Sequence, residues 1–556
     1  MKTLNKVFAF RSIFQTTSAY CLLIVSVCLL IGCEKRAMIL ESVMELQGSG
    51  DPEVNVLMFQ DSAANDRDMI QMAIDYAKDN HIHNVFVPDG TYQINAVGTF
   101  LQSGILLRDS TRLRLSNNAI LKAIPNSSTH YSVVTANGVS NATIEGGAIQ
   151  GERYEHTGTT GEGGMAITIA NASKISVKDI TLKDCWGDGI YIRNSSKQIT
   201  VDNVIADNNR RQGMSVVAVD GLLVTNSIWK NTNGTNPMAG IDLEPNNIND
   251  TVKNVQIINN QFLNNQALGL HIWGRHGPVH DVQIKDCVMS GSPVGLSIRH
   301  GYTSDITVED VEILGSTTRG VMIGDNAKQI NMDSLKVTTA DGIGVRIENS
   351  REVEMRNLDV RAHTSVISLN KDTLITIENA KLKSMVNHVG NGLYTANCGN
   401  MLIDSVEVEG CNYGFNITSN TNITVSNTTV TGCQEFGMWF SNTHFSNFIN
   451  NTIHNTSQVG FRLVGSDNTI SNNELKNNGF LTNNTYAQAL FESNTLRNTI
   501  SGNIFKTSTV TNKPKYAIHL SSTKVKNNTG TGNVYEANSW VTATVQNDGT
   551  GNTINP

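Results

Sequence analysis

Residues that can transfer protons or bind anions recur at alternate positions of short apolar segments between residues 190 and 299. Side chains two positions apart on a β-strand lie on the same face, about 6.7 Å apart, and the aliphatic residues between them point inward. The outward residues that could take part in catalysis or binding are Tyr191, Arg193, Asp242, Glu244, His271, Trp273 and Arg299. Acids, bases and aromatic rings on one face indicate a site for a polar substrate.

One reaction that fits these residues is β-elimination on a uronic-acid polymer. The C5 proton becomes acidic only when the neighbouring carboxylate is neutralised, and a base and an acid then move protons. His271 or Tyr191 can carry the protons, while Asp242 and Glu244 help to position the substrate or hold Ca²⁺, which prefers oxygen ligands. No other cofactor is implied. The arginines able to neutralise the carboxylate are Arg193, Arg210, Arg211 and Arg299.

Other functions remain open at this point. A glycoside hydrolase of the inverting type needs two carboxylates about 6.5–9.5 Å apart, and Asp242 and Glu244 lie near the lower edge of that range, with Asp188 as a third candidate. A C5-epimerase would share the neutralising cation and proton carriers of the lyase. A glycan-binding protein without catalysis would instead present Asn, Thr and aromatic residues, which is the composition of the repeats after Gly344.

Some of these residues could also have roles unrelated to substrate binding. Trp273 can stack on a sugar ring or simply lie on the surface. Asp242 and Glu244 could form solvated ion pairs with Arg193 and Arg299, which contribute little to stability. Turns and loops beside these strands are expected to form the walls of a groove. They place Asp188, Arg210 and Arg211 at its edge, and the loop 152–164 beside it.

Glycine-led repeats position all of these residues. The first series has spacings of 24 to 29 residues, and a second series continues at spacings of 22 and 23. Three short strands per repeat, without intervening helices, predict an all-β, single-stranded right-handed parallel β-helix. Residues 66–80 form an amphipathic pattern that predicts an N-terminal capping helix. The glycines are Gly189, Gly213, Gly240, Gly269, Gly295, Gly320 and Gly344, then Gly392, Gly414, Gly437 and Gly460.

The composition limits the class of protein. Charged residues make up 16% of the 556 residues and aromatic residues 6%, and the net charge is −7. Because there is no overall positive field, nucleic acid is not an expected partner. The five cysteines after Cys33 are odd in number and scattered, so buried free thiols are expected and a zinc site is not.

The N-terminus carries a targeting pattern. Lys2, Lys6 and Arg11 precede an apolar run that ends in Leu30-Ile-Gly-Cys33, which resembles a bacterial lipobox and implies lipidation of Cys33, a membrane partner and a location in the cell envelope. The expected organisation is a signal peptide (1–32), a linker (33–54), a cap with the first coils (55–135), the β-helix (136–520) and a C-terminal coil or cap (521–556). Removal of the signal peptide lowers the net charge to about −10.

A family resemblance supports this fold. The helix is followed by a hydrophobic strand and by Pro88-Asp-Gly-Thr-Tyr92, an opening that resembles pectate-lyase-like β-helix proteins over roughly residues 55–520. Within that superfamily, polysaccharide lyase family 31 is the nearest specific family. Trp186-Gly-Asp-Gly-Ile190 faintly resembles a polygalacturonase motif, but that family's other motifs do not appear in order. Together the residues and the resemblance predict a lyase acting on an acidic polysaccharide such as alginate or pectate.

Overall fold

Short strands stack in parallel along nearly the whole described chain. The computed structural model describes residues 51–99, 101–507 and 510–555. Each turn of the chain adds strands to two long sheets, and every pairing between named strands is parallel, as in the pairs of Ile190–Arg193 with Gly163–Ala170 and with Gln212–Val216. The predicted right-handed parallel β-helix is therefore confirmed.

The sheet that carries the predicted chemistry, called here the site sheet, has eighteen strands in the described residues. Its strands are Ile105–Leu106, His130–Asn137, Gly163–Ala170, Ile190–Arg193, Gln212–Val216, Ala239–Leu243, Leu268–Trp273, Val294–Arg299, Arg319–Gly324, Ile343–Glu348, Ser365–Asn370, Asn391–Ala396, Tyr413–Thr418, Phe436–Ser441, Val459–Val464, Ala487–Phe491, Tyr516–Leu520 and Ala543–Asn547.

The second sheet bends around the other sides of the solenoid. Its strands are Glu53–Asn55, Asn84–Val87, Gly90–Ile94, Arg112–Leu115, Ala119–Ala123, Thr143–Glu145, Ala148–Gln150, Ser173–Lys183, Ser196–Asp207, Val219–Thr225, Ile228–Lys230, Val252–Ile258, Gln261–Leu263, Val279–Lys285, Val288–Ser290, Ile306–Glu309, Glu312–Ser316, Lys328–Asp333, Lys336–Thr339, Arg351–Ala362, Thr373–Ser384, Gly399–Glu409, Thr421–Ser426, Thr429–Thr431, Asn447–Ile449, Thr452–His454, Thr469–Ser471, Glu474–Lys476, Thr499–Ser501, Ile504–Lys506, Thr529–Gly530, Val534–Tyr535 and Thr553–Ile554.

An amphipathic helix lies against the first coils. It spans Asp66–Asp79, with Asn80 as its C-cap, and the side chain of its N-cap Asn65 accepts a hydrogen bond from the Asp68 backbone N–H at 3.0 Å. This is one residue shorter than the pattern predicted. A short 3₁₀ helix, Val56–Phe59, precedes it. The predicted apolar stripe faces the core, because Met69, Ile70, Ala73, Ile74 and Ala77 are all buried.

The interior follows the alternation that the repeats predict. Isoleucines such as Ile190 and Ile192 are completely buried in the bore. Asparagines turn the corners between strands in the left-handed region, as at Asn226 with a φ of 54°. The five described cysteines are free and buried, as expected, and they are Cys185, Cys287, Cys398, Cys411 and Cys433.

Several predictions concern residues outside the described ranges. These predictions are the signal peptide 1–32, the lipidation of Cys33 and the part of the linker 33–54 that precedes residue 51. Across the described ranges, no helix has the length and apolar character needed to cross a bilayer. Strand pairing continues across the expected boundaries at residues 135 and 520, through Gly163–Ala170 with His130–Asn137 and Tyr516–Leu520 with Ala543–Asn547.

The repeated glycines lie on the site sheet because successive coils leave no room for a side chain there. A Cβ built on Gly213 would lie 2.5 Å from the carbonyl oxygen of Gly240, and one built on Gly240 would lie 2.7 Å from that of Gly269. Real Cβ atoms do not approach backbone oxygen so closely. The period seen in the sequence is therefore the period at which coil backbones come into contact.

Substitution at this contact should lower stability. We expect Gly240→Ala to reduce the free energy of unfolding by about 1–3 kcal/mol, because the added methyl overpacks the coil interface. Thermal denaturation measures the change. Gly301→Ala is the matched control, since a Cβ at Gly301 would meet only the Cβ of Asn326 at 3.6 Å. Equal melting temperatures for the two variants would contradict this account of the glycine repeat.

Candidate functional site

The predicted outward column is present in register on the site sheet. Tyr191 pairs with Ser215, Ser215 with Asp242, Asp242 with His271, and His271 with Ser297. The expectation that these side chains are open to solvent is wrong for the central coils. Asp242 is fully buried and His271 is only 7% exposed. Gln212 and His271 lie against Asp242, and Trp273 lies against His271.

A cavity of about 480 Å³ opens on these coils. Four predicted site residues line it: Tyr191, Arg193, Arg211 and Glu244. The remaining lining residues are His130, Glu162, Gly163, Met165, Ser215, Val217 and Asn246. Of these, Glu162 belongs to the predicted wall, whereas His130 and Asn246 are additions that the repeat register does not reveal. His130 begins the strand before the wall, and Asn246 lies in the turn after the strand Ala239–Leu243.

The loop 152–164 forms one wall of the cavity, as predicted, and several contacts fix it. His156 stacks on Trp186 with ring centroids 4.0 Å apart, and its Nδ1 lies 2.8 Å from Glu152 Oε1. Arg153 donates hydrogen bonds to Asn208 and Asn233, with Arg153 Nη1 2.7 Å from the Asn208 carbonyl oxygen. The wall is therefore held to the coils by buried and half-buried polar contacts.

Arg210 holds the same wall and does not line the cavity. Its guanidinium lies 3.7 Å from the ring centre of Trp186. It also donates hydrogen bonds to the carbonyl oxygens of Trp186 and Gly161 and to Thr235 Oγ1. These contacts occupy the side chain that the sequence suggested for substrate binding.

Arg211 is the central cation of the site. Its Nε lies 3.1 Å from Glu162 Oε2, and its Nη1 lies 3.3 Å from Asp188 Oδ2. Burial alone would lower the pKa of the guanidinium, but Asp188, Asp242 and Glu162 outweigh burial and raise it. Arg211 is therefore a permanent positive charge held mostly within the protein.

Asp188 and Glu244 are carboxyl groups that tend to keep their protons. Burial, opposed by Arg211, raises the pKa of Asp188 to about 7. Burial, together with the charge of Asp242, raises the pKa of Glu244 to about 8. A hydrogen bond joins Glu244 to Asp242 and needs one proton between the two carboxyl groups. At neutral pH that proton belongs to Glu244.

Asp242 is buried between Gln212 and His271. Its Oδ2 accepts from Gln212 Nε2 at 2.5 Å, and its Oδ1 lies 3.2 Å from His271 Nδ1. Gln212 in turn accepts a hydrogen bond from Arg211. A series of contacting polar side chains thus lies behind the cavity, and its members are Asp188, Arg211, Gln212, Asp242 and His271.

This geometry corrects two expectations about the acids. Asp242 is fully buried and does not line the cavity, so it cannot flank a glycosidic bond there as the inverting partner of Glu244. These two acids also do not pair with Arg299. Arg193 Nε donates to the amide oxygen of Asn194 at 2.9 Å, and Arg299 Nη2 lies 2.5 Å from Asp325 Oδ2.

The same residues fit calcium poorly. Asp242 is fully buried and does not line the cavity, and Glu244 shares a proton instead of presenting a free carboxylate. The described residues contain no cluster of three or more His, Cys, Asp or Glu side chains arranged to hold a metal. We therefore derive no step through Ca²⁺.

Trp273 and Arg299 lie on the coils beyond the cavity and do not line it. Arg299 lies 5.0 Å from the centre of the Trp273 ring, and His271 and His300 lie 4.9 and 4.0 Å from it. The indole is thus already contacted by three neighbours. The structure brings Trp273, Arg299 and His271 together as a second group adjacent to the cavity.

Comparisons with known proteins identify the architecture. The family model described as "Right handed beta helix region" matches residues 76–277, 239–364 and 365–555. The uncharacterized protein YclG of Bacillus subtilis (strain 168) is 24% identical over 510 residues, covering 75% of this chain and 87% of that protein. The plasmin and fibronectin-binding protein A of Streptococcus pneumoniae is 28% identical over 178 residues, covering 28% of this chain and 23% of that protein.

A solved structure shows how limited the likeness is. The exopolygalacturonase of Thermotoga maritima superimposes with a TM-score of 0.39 and 12% identity, covering 66% of this chain and 96% of that chain. Such a likeness does not align catalytic residues, so no role is transferred from it. The more specific assignment to polysaccharide lyase family 31 stays a prediction.

Proposed function

We propose that this chain, which belongs to the right-handed β-helix family, cleaves an acidic polysaccharide by β-elimination. Members of that family differ in activity, so the proposal is based on the residues that line the cavity. One observation carries the proposal. The guanidinium groups of Arg193 and Arg211 line the same cavity as the Tyr191 phenol and the protonated carboxyl group of Glu244. That set supplies cations and acid protons to an anionic sugar.

The substrate carboxylate would lie between the arginines and Glu244. The two guanidinium groups would donate hydrogen bonds to it and stabilise the negative charge that develops when the C5 proton leaves. Protonated Glu244 would add no negative charge beside it. Behind Glu244, Asp242 would hold the acid in place through their shared proton. Asp188 would position Arg211.

Two residues on the cavity wall would move the protons. His130 would accept the C5 proton, and the released electron pair would form the C4–C5 double bond as the C4–O bond breaks. Tyr191 would donate its phenolic proton to the leaving oxygen. Burial raises the pKa of Tyr191, so it is in the acid form at neutral pH. His271, which the sequence suggested for this step, lies behind the cavity against Asp242.

Hydrolysis is the second candidate because two carboxyl groups in unlike surroundings line the cavity. The side chain of Glu162 is 62% exposed, whereas Glu244 is half-buried with a pKa of about 8. Such a pair could act as base and acid. Incubation with alginate and with polygalacturonate separates the mechanisms. Elimination yields new reducing ends with ultraviolet-absorbing unsaturated ends, hydrolysis yields reducing ends alone, and a C5-epimerase or a binding protein yields neither.

The pH dependence should follow Glu244. We expect turnover at saturating substrate to fall as the pH rises above about 8, because Glu244 then ionises and its negative charge repels the substrate carboxylate. Stability should change in the same direction. The folded protein favours protonated Glu244, so its contribution is complete below about pH 4.5 and is lost as the pH rises through about 8.

Glu244→Gln tests this assignment, because the amide donates a hydrogen bond but does not ionise. The variant should retain part of the activity and lose the decline above pH 8, as measured by initial rates across the pH range. An unchanged alkaline limb would assign the decline to another group.

A further inference from the structure

Three aromatic side chains contact one another on the site sheet, far from the cavity. Tyr413, Phe436 and Trp439 have ring centroids 5.5–5.6 Å apart. Arg462 on the next strand lies 4.9 Å from the centre of the Trp439 ring. Tyr413 and Trp439 are half-buried and Phe436 is buried. We call Tyr413, Phe436 and Trp439 the aromatic platform, and in a chain with 6% aromatic residues it is a local concentration.

The platform is in line with the cavity. Trp439 belongs to the same outward column as Tyr191 and Asp242, and eight strand pairings separate it from Asp242. At about 4.8 Å per pairing, the separation is about 38 Å along the solenoid axis. A single extended chain lying along the sheet can therefore contact both places.

The polar groups around the platform differ in whether they have hydrogen-bond partners. The Tyr413 hydroxyl donates to Glu435 at 2.6 Å, and Arg462 Nε donates to Glu492 at 2.6 Å. By contrast, Trp439 Nε1 has no hydrogen-bond partner in the described chain. That N–H is buried, so the surface offered to a ligand is the half-exposed rings of Tyr413 and Trp439 with the polar groups beside them. This surface suits a ligand that offers both an apolar face and hydroxyl groups. Sugar rings have that combination.

We propose that the aromatic platform binds a distal stretch of the polysaccharide whose other part occupies the cavity. This inference rests on the proposed function. Two contacts on one chain act together, because binding at the first raises the effective concentration at the second. Long chains should gain affinity from the platform, whereas oligosaccharides confined to the cavity should not.

The test measures binding separately from cleavage. In a Tyr191→Phe background, which slows elimination during titration, calorimetry compares alginate and polygalacturonate polymers with their trisaccharides. Trp439→Ala should weaken binding of the preferred polymer about tenfold, which is about 1.4 kcal/mol, and leave trisaccharide binding unchanged. Phe445→Ala is the control, because Phe445 is a 63% exposed aromatic residue outside the platform.

The outcomes separate the two proposals. Equal polymer affinities for the Trp439→Ala and control variants would overturn the platform, as would a wild-type protein that binds neither polymer. If polymer binding depends on Trp439 and the wild-type protein releases no cleavage product, the platform stands and the proposed lyase activity fails. Equal weakening of trisaccharide and polymer would indicate a general structural effect and would also overturn the proposal.

Discussion

Arg211→Ala should lower turnover on a polyuronate by about two to three orders of magnitude. Loss of one preorganised group that stabilises developing charge typically has this effect. Arg211 is well placed to have it, because its side chain is 17% exposed and lines the cavity. Initial rates of unsaturated-end formation give the measurement. The effect should fall mainly on kcat, since the charge to be stabilised is greatest in the transition state.

A second variant separates catalysis from folding. Removal of Arg211 leaves the buried Asp188 without its cation, and a buried unpaired charge is destabilising. Asp188 can reduce that penalty by keeping a proton, because its pKa is already about 7. In Arg211→Ala/Asp188→Asn the charge is absent altogether, so we expect stability to recover and activity to stay low.

Arg299→Ala is the matched arginine control. Sequence alone gave Arg211 and Arg299 the same role, but Arg299 is paired with Asp325 outside the cavity. Its loss should reduce turnover far less than the loss of Arg211. If both single variants cleave at nearly the wild-type rate at saturating substrate, charge neutralisation by Arg211 is not part of the reaction.

The fold could be predicted because its causes are local and repeated. A glycine is needed wherever two coils touch, as at Gly213 and Gly240, and alternating aliphatic residues fill the bore. Both requirements leave a period in the sequence. The register of Tyr191, Asp242 and His271 follows from that period, so three residues on different coils could be placed on one face.

The environment of those residues could not be predicted in the same way. Burial of Asp242 depends on the side chains of Gln212 and His271. A hydrogen bond to the loop 152–164 holds Arg210 in the wall, whereas Arg211 lines the cavity. His130 was missed because it begins a strand and lies outside the outward column. The glycine between Trp186 and Asp188 marked a turn, but only the fold shows that Asp188 faces Arg211.

Tyr191→Phe should lower turnover by about two to four orders of magnitude and leave KM nearly unchanged. General acid catalysis by one side chain typically contributes this much. The substitution removes only the hydroxyl group. The ring would still pack with Met165 and Val217 and would still lie near Arg193, whose guanidinium carbon is 5.6 Å from its centre. Steady-state kinetics with the preferred polyuronate measure the effect, and thermal denaturation confirms that the fold is intact.

The matched controls decide between elimination and hydrolysis. Tyr394→Phe makes the same chemical change on the same outward column, outside the cavity, and should be silent. In the elimination mechanism Glu162→Gln should have a modest effect, because Glu162 only pairs with Arg211 at the cavity wall. Hydrolysis reverses this order, since Glu162 would then activate water and the Tyr191 hydroxyl would only bind substrate. An inactive Glu162→Gln beside a Tyr191→Phe with nearly normal turnover would therefore replace the lyase with a hydrolase in which Glu244 is the acid.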